Sequence, residues 1–413
     1  MKYILICIIF LLLSGKMAHA YSVLTHEAII DVNWEPVIVP LLKQRYPGVT
    51  QKALDEAHAF AYGGAIAPDM GYYPFGNKFF SDLIHYVRNG DFIIALQNDA
   101  RNVQEYAFAL GVLSHYTADK YGHSLGVNLA VPLMFPELKA KHGPVITYED
   151  DPMTHIRTEF GFDVLQTARG NYASDAYQRF ISFEIADDLL KRSFRHNYGL
   201  EIDSIFSNYP RSVRTFRWAV KDIFPRLTRA AWKSRKSEIL KQQQTATARN
   251  FHYRMRRSTF MNSYGREIER TGFGSWLIAS LLNILPKVGP LKAMKVIIPS
   301  PEAEKIFIKS FDTVSVRYRQ ALLRIKSAGT LMNVDFDTGE PSTPGEYKLA
   351  DETHYTFLMK LQARGPIPLE EGLTRHVSDF YAHKNASKLS ETDTARWSEI
   401  QAALAELNSR RRN

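Results

Sequence analysis

The sequence predicts an all-α fold, in which a multi-helix bundle carries a helical C-terminal extension. Apolar residues recur at the three- and four-residue spacing of amphipathic helices along much of the chain. The alternation of apolar and polar residues that marks strands is scarce. The length of 413 residues allows either two domains or one large helical domain with an appendage.

The first 20 residues have the features of a secretory signal peptide and are excluded from the fold. Lys2 gives a positive start, an apolar run covers residues 4–13, and Ala-His-Ala at 18–20 is a small-x-small cleavage site. We therefore expect a secreted or periplasmic protein whose mature chain begins at Tyr21. An uncleaved N-terminal anchor is the alternative.

Helical spacing of apolar residues predicts six helices between the signal peptide and residue 195. They cover 25–45, 51–66, 79–88, 91–123, 150–168 and 172–195. Basic residues continue at helical spacing from residue 211 to 241, where Pro225 is expected to kink or divide the segment. We therefore place one helical domain at residues 21–240.

The rest of the chain, 241–413, is predicted to be a helical region of unknown role. An apolar segment at 272–299 is too interrupted by two prolines to span a bilayer. We interpret it as a buried helical hairpin, because apolar hairpins usually belong to the core; a position on a membrane surface is the alternative. Residues 333–347 contain Asp335 and Asp337 in alternation, but no EF-hand spacing follows, so we interpret them as a turn-rich loop. Two further helices are predicted, near 350–363 and 390–408.

The net charge of +9 is distributed unevenly along the chain. Residues 21–160 hold 10 basic and 16 acidic side chains, whereas residues 211–257 hold 14 basic and 2 acidic ones. The acidic part suits cation binding, and the basic stretch suits an anionic surface such as phospholipid headgroups or nucleic acid. We therefore predict peripheral membrane contact through 211–257, with a solvated helix face as the alternative, and no obligate protein partner.

The side chains that zinc prefers are concentrated in the first 160 residues. Because the only cysteine, Cys7, lies in the signal peptide, disulfides and thiolate ligands are excluded for the mature chain. Imidazole and carboxylate suffice to bind Zn²⁺. The candidate metal ligands are Tyr21 as the new N-terminus, His26, Asp69, His85, His115, Asp119, His123, His155 and Glu159. Nine candidates are too many for one tetrahedral ion and suit two or three ions.

Spacing groups several of these candidates. In a helix, His115, Asp119 and His123 stack one turn apart on one stripe, and a carboxylate in the middle can bridge two ions with its two oxygens. His155 and Glu159 repeat the four-residue spacing, and with His123 they would form a three-ligand site with one open position. A free amine and carbonyl at residue 21 can also chelate a metal.

These residues resemble the zinc-dependent phospholipase C superfamily. It includes bacterial phospholipases C, the N-terminal domain of GPI-specific phospholipase D and, more distantly, fungal single-strand-specific nucleases. The resemblance covers about 140 residues, and its segments are Tyr21-Ser-Val-Leu-Thr-His26, Ala67-Pro-Asp69, His85-Tyr86, the run from Leu113 to Gly126, and His155 to Glu159. It implies an all-α bundle around a cleft with three zinc ions.

The resemblance also implies a ligand set for each of the three ions. Asp69, His85, His115 and Asp119 would hold one zinc. His123, His155 and Glu159 would hold a second, and the Tyr21 main chain with His26 and Asp119 would hold a third. Two departures from the family are a terminal Tyr in place of Trp and a shorter spacing between Asp119 and His123, which resembles the phospholipase D branch.

The chemistry implied is phosphodiester hydrolysis by a metal-activated water, with Asp119 bridging the paired ions and Asp69 orienting or deprotonating the water. A secreted phospholipase C-type enzyme is the first hypothesis. A nuclease is the second, because aromatic residues lie between the charges of the basic stretch and could stack on single-stranded nucleic acid. A non-catalytic periplasmic zinc-binding protein is the third.

Overall fold

The computed structural model describes residues 22–172, 183–251, 296–324, 330–365 and 369–410. All regular secondary structure in these residues is helical, which confirms the predicted all-α fold. The signal peptide, Tyr21 and nearly all of the apolar segment 272–299 lie outside the described residues, so the expectations for them remain predictions. Among the described helices, none combines the length and the apolar character needed to cross a membrane.

The helix bounds follow the predicted pattern in most places, with differences at several ends. The α-helices of the described residues are α1 (Val23–Asn33), α2 (Val39–Arg45), α3 (Gln51–Ile66), α4 (Lys78–Tyr86), α5 (Asn89–Asp99), α6 (Val103–Gly122), α7 (Asn128–Met134), α8 (Pro136–His142), α9 (Pro152–Arg169), α10 (Asp187–Tyr198), α11 (Ile202–Ile205), α12 (Tyr209–Trp218), α13 (Phe224–Gln242), α14 (Pro301–Arg324), α15 (Lys348–Ala363), α16 (Glu371–Ala382), α17 (Ser387–Thr392) and α18 (Thr394–Arg410). Three π-helical turns are present at Trp34–Ile38, His123–Val127 and Ala219–Ile223.

The helix predicted at 91–123 is two helices, α5 and α6. The break falls at Asn102, whose side chain accepts a hydrogen bond of 2.8 Å from the backbone N–H of Glu105. The Glu105 carboxylate in turn accepts one of 2.8 Å from the backbone N–H of Arg101. This reciprocal capping satisfies donors that a continuous helix would bond internally, and it therefore starts a new helix here.

The prediction of one helix at 172–195 is also wrong, because residues in the middle of this range are not helical. Residues 183–186 are not helical, and the Glu184 backbone N–H donates to the carbonyl of Ala59 in α3 at 2.9 Å. The helix begins only at Asp187. This tertiary hydrogen bond to another helix cannot be read from local spacing.

The centre of the bundle is the close packing of α3 against α6. A Cβ added at Gly64 would lie 2.0 Å from the carbonyl oxygen of Phe108, and one at Gly111 would lie 2.1 Å from that of Ala61. Only glycine therefore permits this approach of the two backbones. The approach matters for the site because it brings the carbonyl of Ala65 within 2.9 Å of His115 Nδ1.

The described C-terminal residues pack on the same core. Helix α14 lies against α6, where the hydroxyl of Tyr318 donates to the Leu110 carbonyl at 2.9 Å. The loop 330–347 lies over the ends of α4 and α6, with Phe336 contacting the rings of His85 and Tyr116. Apolar side chains before and after residue 241 thus share one continuous core.

A buried histidine in the C-terminal region is expected to make stability depend on pH. His354 in α15 stacks on Phe380 with ring centroids 3.6 Å apart, and burial lowers its pKa to about 3. The unfolded chain binds this proton below about pH 6.5, whereas the folded chain does not until about pH 3, so acid lowers the free energy of unfolding. In His354→Phe, the fall in unfolding free energy between pH 7 and pH 5 should be about 2 kcal/mol smaller than in the unsubstituted protein.

Urea denaturation at the two pH values measures this difference. Phe380→Leu is the matched control, because it also disturbs the stacked pair but removes no titratable group. Equal pH dependence in His354→Phe and the unsubstituted protein would contradict the prediction.

Candidate metal centre

Eight of the nine predicted ligands lie in described residues, and the structure gathers them into two adjoining groups in the interior. None of the eight is more than 2% exposed. The ninth, Tyr21, lies outside the described residues. Imidazoles and carboxylates this far from water need partners, because desolvation of a carboxylate is costly.

The first group consists of five side chains from four different segments. His26 lies in the first turn of α1, Asp69 in the 3₁₀ turn Ala67–Tyr72 after α3, and His85 near the end of α4. His115 and Asp119 lie one turn apart in α6, as their spacing predicted.

The turn that carries His26 is fixed by a residue that sequence reasoning missed. The carboxylate of Asp163 in α9 accepts hydrogen bonds from the backbone N–H groups of Leu24 and Thr25 at 3.0 and 3.1 Å, and from the Thr25 hydroxyl at 2.7 Å. These are the free N–H groups at the start of a helix, so a carboxylate here is well placed. Burial raises the pKa of Asp163 to about 6, although these hydrogen bonds lower it.

Asp119 is the centre of the first group. Its Oδ1 lies 3.6 Å from His26 Nε2. Its Oδ2 lies 3.4 Å from His85 Nε2 and 3.1 Å from His115 Nε2. The two oxygens therefore face two different sets of imidazoles, which is the arrangement that a bridging carboxylate requires.

The spacing of these atoms fits a shared metal ion better than direct hydrogen bonds. Ligand atoms at about 2.0–2.2 Å from a tetrahedral zinc lie about 3.3–3.6 Å from each other. The nitrogen–oxygen distances in the group are 3.1–3.6 Å, and that from His85 Nε2 to Asp69 Oδ1 is 3.4 Å. Within the described residues, both Asp119 oxygens and His115 Nε2 are buried without a hydrogen bond. The residues present therefore fit zinc.

Two histidines of this group are oriented by main-chain carbonyls. His85 Nδ1 donates to the carbonyl of Ser81 at 2.7 Å, and His115 Nδ1 donates to that of Ala65 at 2.9 Å. A proton held on Nδ1 leaves the Nε2 lone pair directed at the cluster, which is the usual support for a metal-binding histidine.

The second group contains His123, His155 and Glu159. His123 begins the π-helical turn that follows α6, and its backbone N–H still bonds the carbonyl of Asp119 one helical turn earlier. Its ring stacks on that of His155, with ring centroids 4.9 Å apart. His155 Nδ1 lies 2.7 Å from Glu159 Oε1. A ligand atom from each of the three lies within 4.8 Å of the others, so they can hold one ion.

The electrostatics show an excess of buried negative charge. Burial, and then repulsion from Asp119 and Asp69, raise the pKa of Glu159 well above its usual range. Burial alone would also raise the pKa of Asp119, but attraction to His115 and His85 holds it well below its usual range. The buried carboxylates thus repel one another, and bound cations would relieve this repulsion.

Sequence reasoning missed two further residues at the second group. His155 Nε2 lies 2.8 Å from Oδ1 of Asn128 in α7. Asp337 Oδ1, from the loop interpreted as a turn, lies 3.4 Å from His123 Nε2. The alternation of Asp335 and Asp337 was the available signal, but nothing in local spacing connects it with residues more than 200 positions earlier.

A comparison with protein families supports the resemblance to zinc-dependent phospholipases. Residues 25–208 match the model of the family described as zinc-dependent phospholipase C. This range includes all eight described ligand candidates and ends before the basic segment. In comparisons with curated proteins and with solved structures, nothing matches this chain significantly.

Proposed function

We propose that the protein is a secreted phosphodiesterase that hydrolyses phospholipids, from the premise that residues 25–208 match the zinc-dependent phospholipase C family. The observation that carries the proposal is the Asp119 carboxylate, whose two oxygens face His26 on one side and His85 with His115 on the other. A purely structural zinc site needs no such bridge, whereas paired metal ions are typical of phosphodiester hydrolysis.

We propose three zinc ions with the ligand sets that the resemblance implies. When bound, zinc at such a centre lowers the pKa of a coordinated water and neutralises charge on the phosphate. Asp69 is the proposed residue that orients the attacking water or accepts its proton, because its Oδ1 lies 3.4 Å from His85 Nε2 and it also approaches His26 and His115. Asp119 would fix the position of the His26 side of the centre relative to the His85 and His115 side, because one of its oxygens faces each side. Burial of all these side chains strengthens each electrostatic contact.

Contact with an anionic membrane surface is the proposed role of the basic segment. Arg211 and Arg214 on α12, and Lys233 and Lys236 on α13, are exposed cations. Arg217 is instead committed to Glu184 at 3.0 Å. Exposed cations on neighbouring helices favour phospholipid headgroups electrostatically.

The packing of the basic segment argues against the nuclease alternative. Phe216 is fully buried against Tyr73 and Phe183, and Trp232 packs on the buried Phe251. Side chains in the core cannot stack on bases of single-stranded nucleic acid. Tyr253, another aromatic of this segment, lies outside the described residues.

The test compares substrates for protein purified after signal cleavage. Zinc-loaded protein should release phosphorylated headgroups from phospholipid vesicles, lose this activity with a chelator and regain it with zinc. Single-stranded DNA should remain intact. Cleavage of DNA but not of lipid would replace the proposal by the nuclease alternative. Tightly held zinc without hydrolysis of either substrate would favour the non-catalytic one.

A further inference from the structure

We propose that Asp337 is a fourth protein ligand of the zinc held by His123, His155 and Glu159. This residue lies well outside the family-matched range 25–208, so this chain would complete its metal centre from its own C-terminal region. The inference rests on the proposed zinc-dependent function and deepens it.

The position of the Asp337 carboxylate carries the inference. Oδ1 lies 3.4 Å from His123 Nε2, which is longer than a hydrogen bond and equals the spacing of two ligands on one tetrahedral zinc. The side chain is only 4% exposed, and so its charge is largely removed from water. A buried carboxylate beside an imidazole that faces a metal site is a suitable ligand.

The hydrogen bonds of Asp337 leave the metal-facing oxygen available. Its Oδ2 accepts from the hydroxyls of Tyr86 at 2.7 Å and Tyr347 at 2.6 Å. Within the described residues, no donor is bonded to Oδ1. Two hydroxyls on one oxygen fix the carboxylate plane and direct the other oxygen towards His123, as is usual for carboxylate ligands of metals.

The loop that carries Asp337 is held beside the ligand group by hydrogen bonds. Asp335 Oδ1 accepts from the backbone N–H groups of Asp337 and Thr338 at 2.8 and 3.0 Å, which fixes the turn. The Asn128 side chain donates to the Asp337 carbonyl at 2.7 Å, and its Oδ1 lies 2.8 Å from His155 Nε2. Asn128 thus links the loop to a second member of the same ligand group.

A fourth protein ligand changes what the second zinc can do. With three ligands, one position is open to phosphate, whereas four ligands close a tetrahedral site. Substrate phosphate would therefore have to displace Asp337 or enter as a fifth ligand. Asp337 would act as an internal anion that occupies the position until a phosphodiester arrives.

The test takes advantage of the absence of cysteine from the mature chain. In Asp337→Cys, begun at Tyr21 so that Cys7 is absent, a thiolate replaces the carboxylate. After loading with cobalt(II) in place of zinc, a thiolate ligand should give a sulfur-to-cobalt charge-transfer band in the near ultraviolet. Ser342→Cys is the matched control, because Ser342 is in the same loop but donates to the Tyr86 carbonyl at 2.8 Å. It should show no such band.

Zinc titration of Asp337→Asn gives a second, independent measurement. One of the bound zincs should be held at least about tenfold more weakly, while Glu340→Gln, the same acid-to-amide change at an exposed position of the same loop, should retain it. A folded, cobalt-loaded Asp337→Cys protein without the band, or unchanged zinc affinity in Asp337→Asn, would overturn the inference but leave the proposed function intact. Failure of the unsubstituted protein to bind zinc or cobalt would instead remove the proposed function itself.

Discussion

Asp119→Asn is expected to abolish phosphodiester hydrolysis and the pairing of the metal ions together. The amide keeps the shape of the side chain but offers one neutral oxygen in place of two charged ones, so it cannot serve both His26 and the pair His85 and His115. We expect at least one zinc per chain to be lost and kcat/KM to fall on the order of 10³-fold or more. Metal analysis and headgroup release on the same sample measure both.

Asp82→Asn is the matched control for this substitution. Asp82 is a partly buried carboxylate in α4, one turn before His85, where it pairs with Lys78 and accepts from the hydroxyl of Tyr72 at 3.0 Å. The bonds described for its oxygens go to Lys78 and Tyr72 and to none of the ligand side chains, so this variant should keep its zinc. Full activity in Asp119→Asn, with the variant folded and zinc bound, would rule out the bridging role.

The all-α fold and the two ligand pairs within helices could be predicted because both depend on local spacing, whereas the grouping of His26, Asp69 and His85 came from the family resemblance. His115 and Asp119 are one turn apart in the sequence and in α6, and the same holds for His155 and Glu159 in α9. Apolar spacing predicted helix α3 with its observed bounds, and the structure shows that Thr50 caps its start by accepting from the Ala53 N–H at 3.2 Å. Such signals lie within a few residues of the structure they determine.

The parts that could not be predicted depend on tertiary contacts. Asp163 fixes the turn of His26 from 138 positions away, and Asp337 reaches His123 from more than 200. A sequence pattern indicates which residue types are present but not which distant segment folds over them.

Extension of the mature N-terminus is expected to remove the third zinc. Ser22 is buried, and its carbonyl accepts from the His26 N–H at 3.3 Å, so Tyr21 is bonded to a residue one helical turn from His26. We propose that the amine and carbonyl of Tyr21 chelate the ion shared by His26 and Asp119. A Gly-Ser extension turns that amine into an amide, which is a poor metal ligand, and about one zinc should be lost together with most of the activity.

Two controls separate chelation by the main chain from other effects of the extension. The same two residues added after Asn413 should change neither zinc content nor activity. Tyr21→Ala keeps the amine and the carbonyl but removes the ring, so it should retain the third zinc. An extended protein with the full zinc complement would show that His26 and Asp119 hold their ion without the terminus, and signal cleavage would then have no part in building the site. Loss of zinc in Tyr21→Ala as well would show that the Tyr21 ring is also needed to hold the ion, so that the amine and carbonyl alone do not account for it.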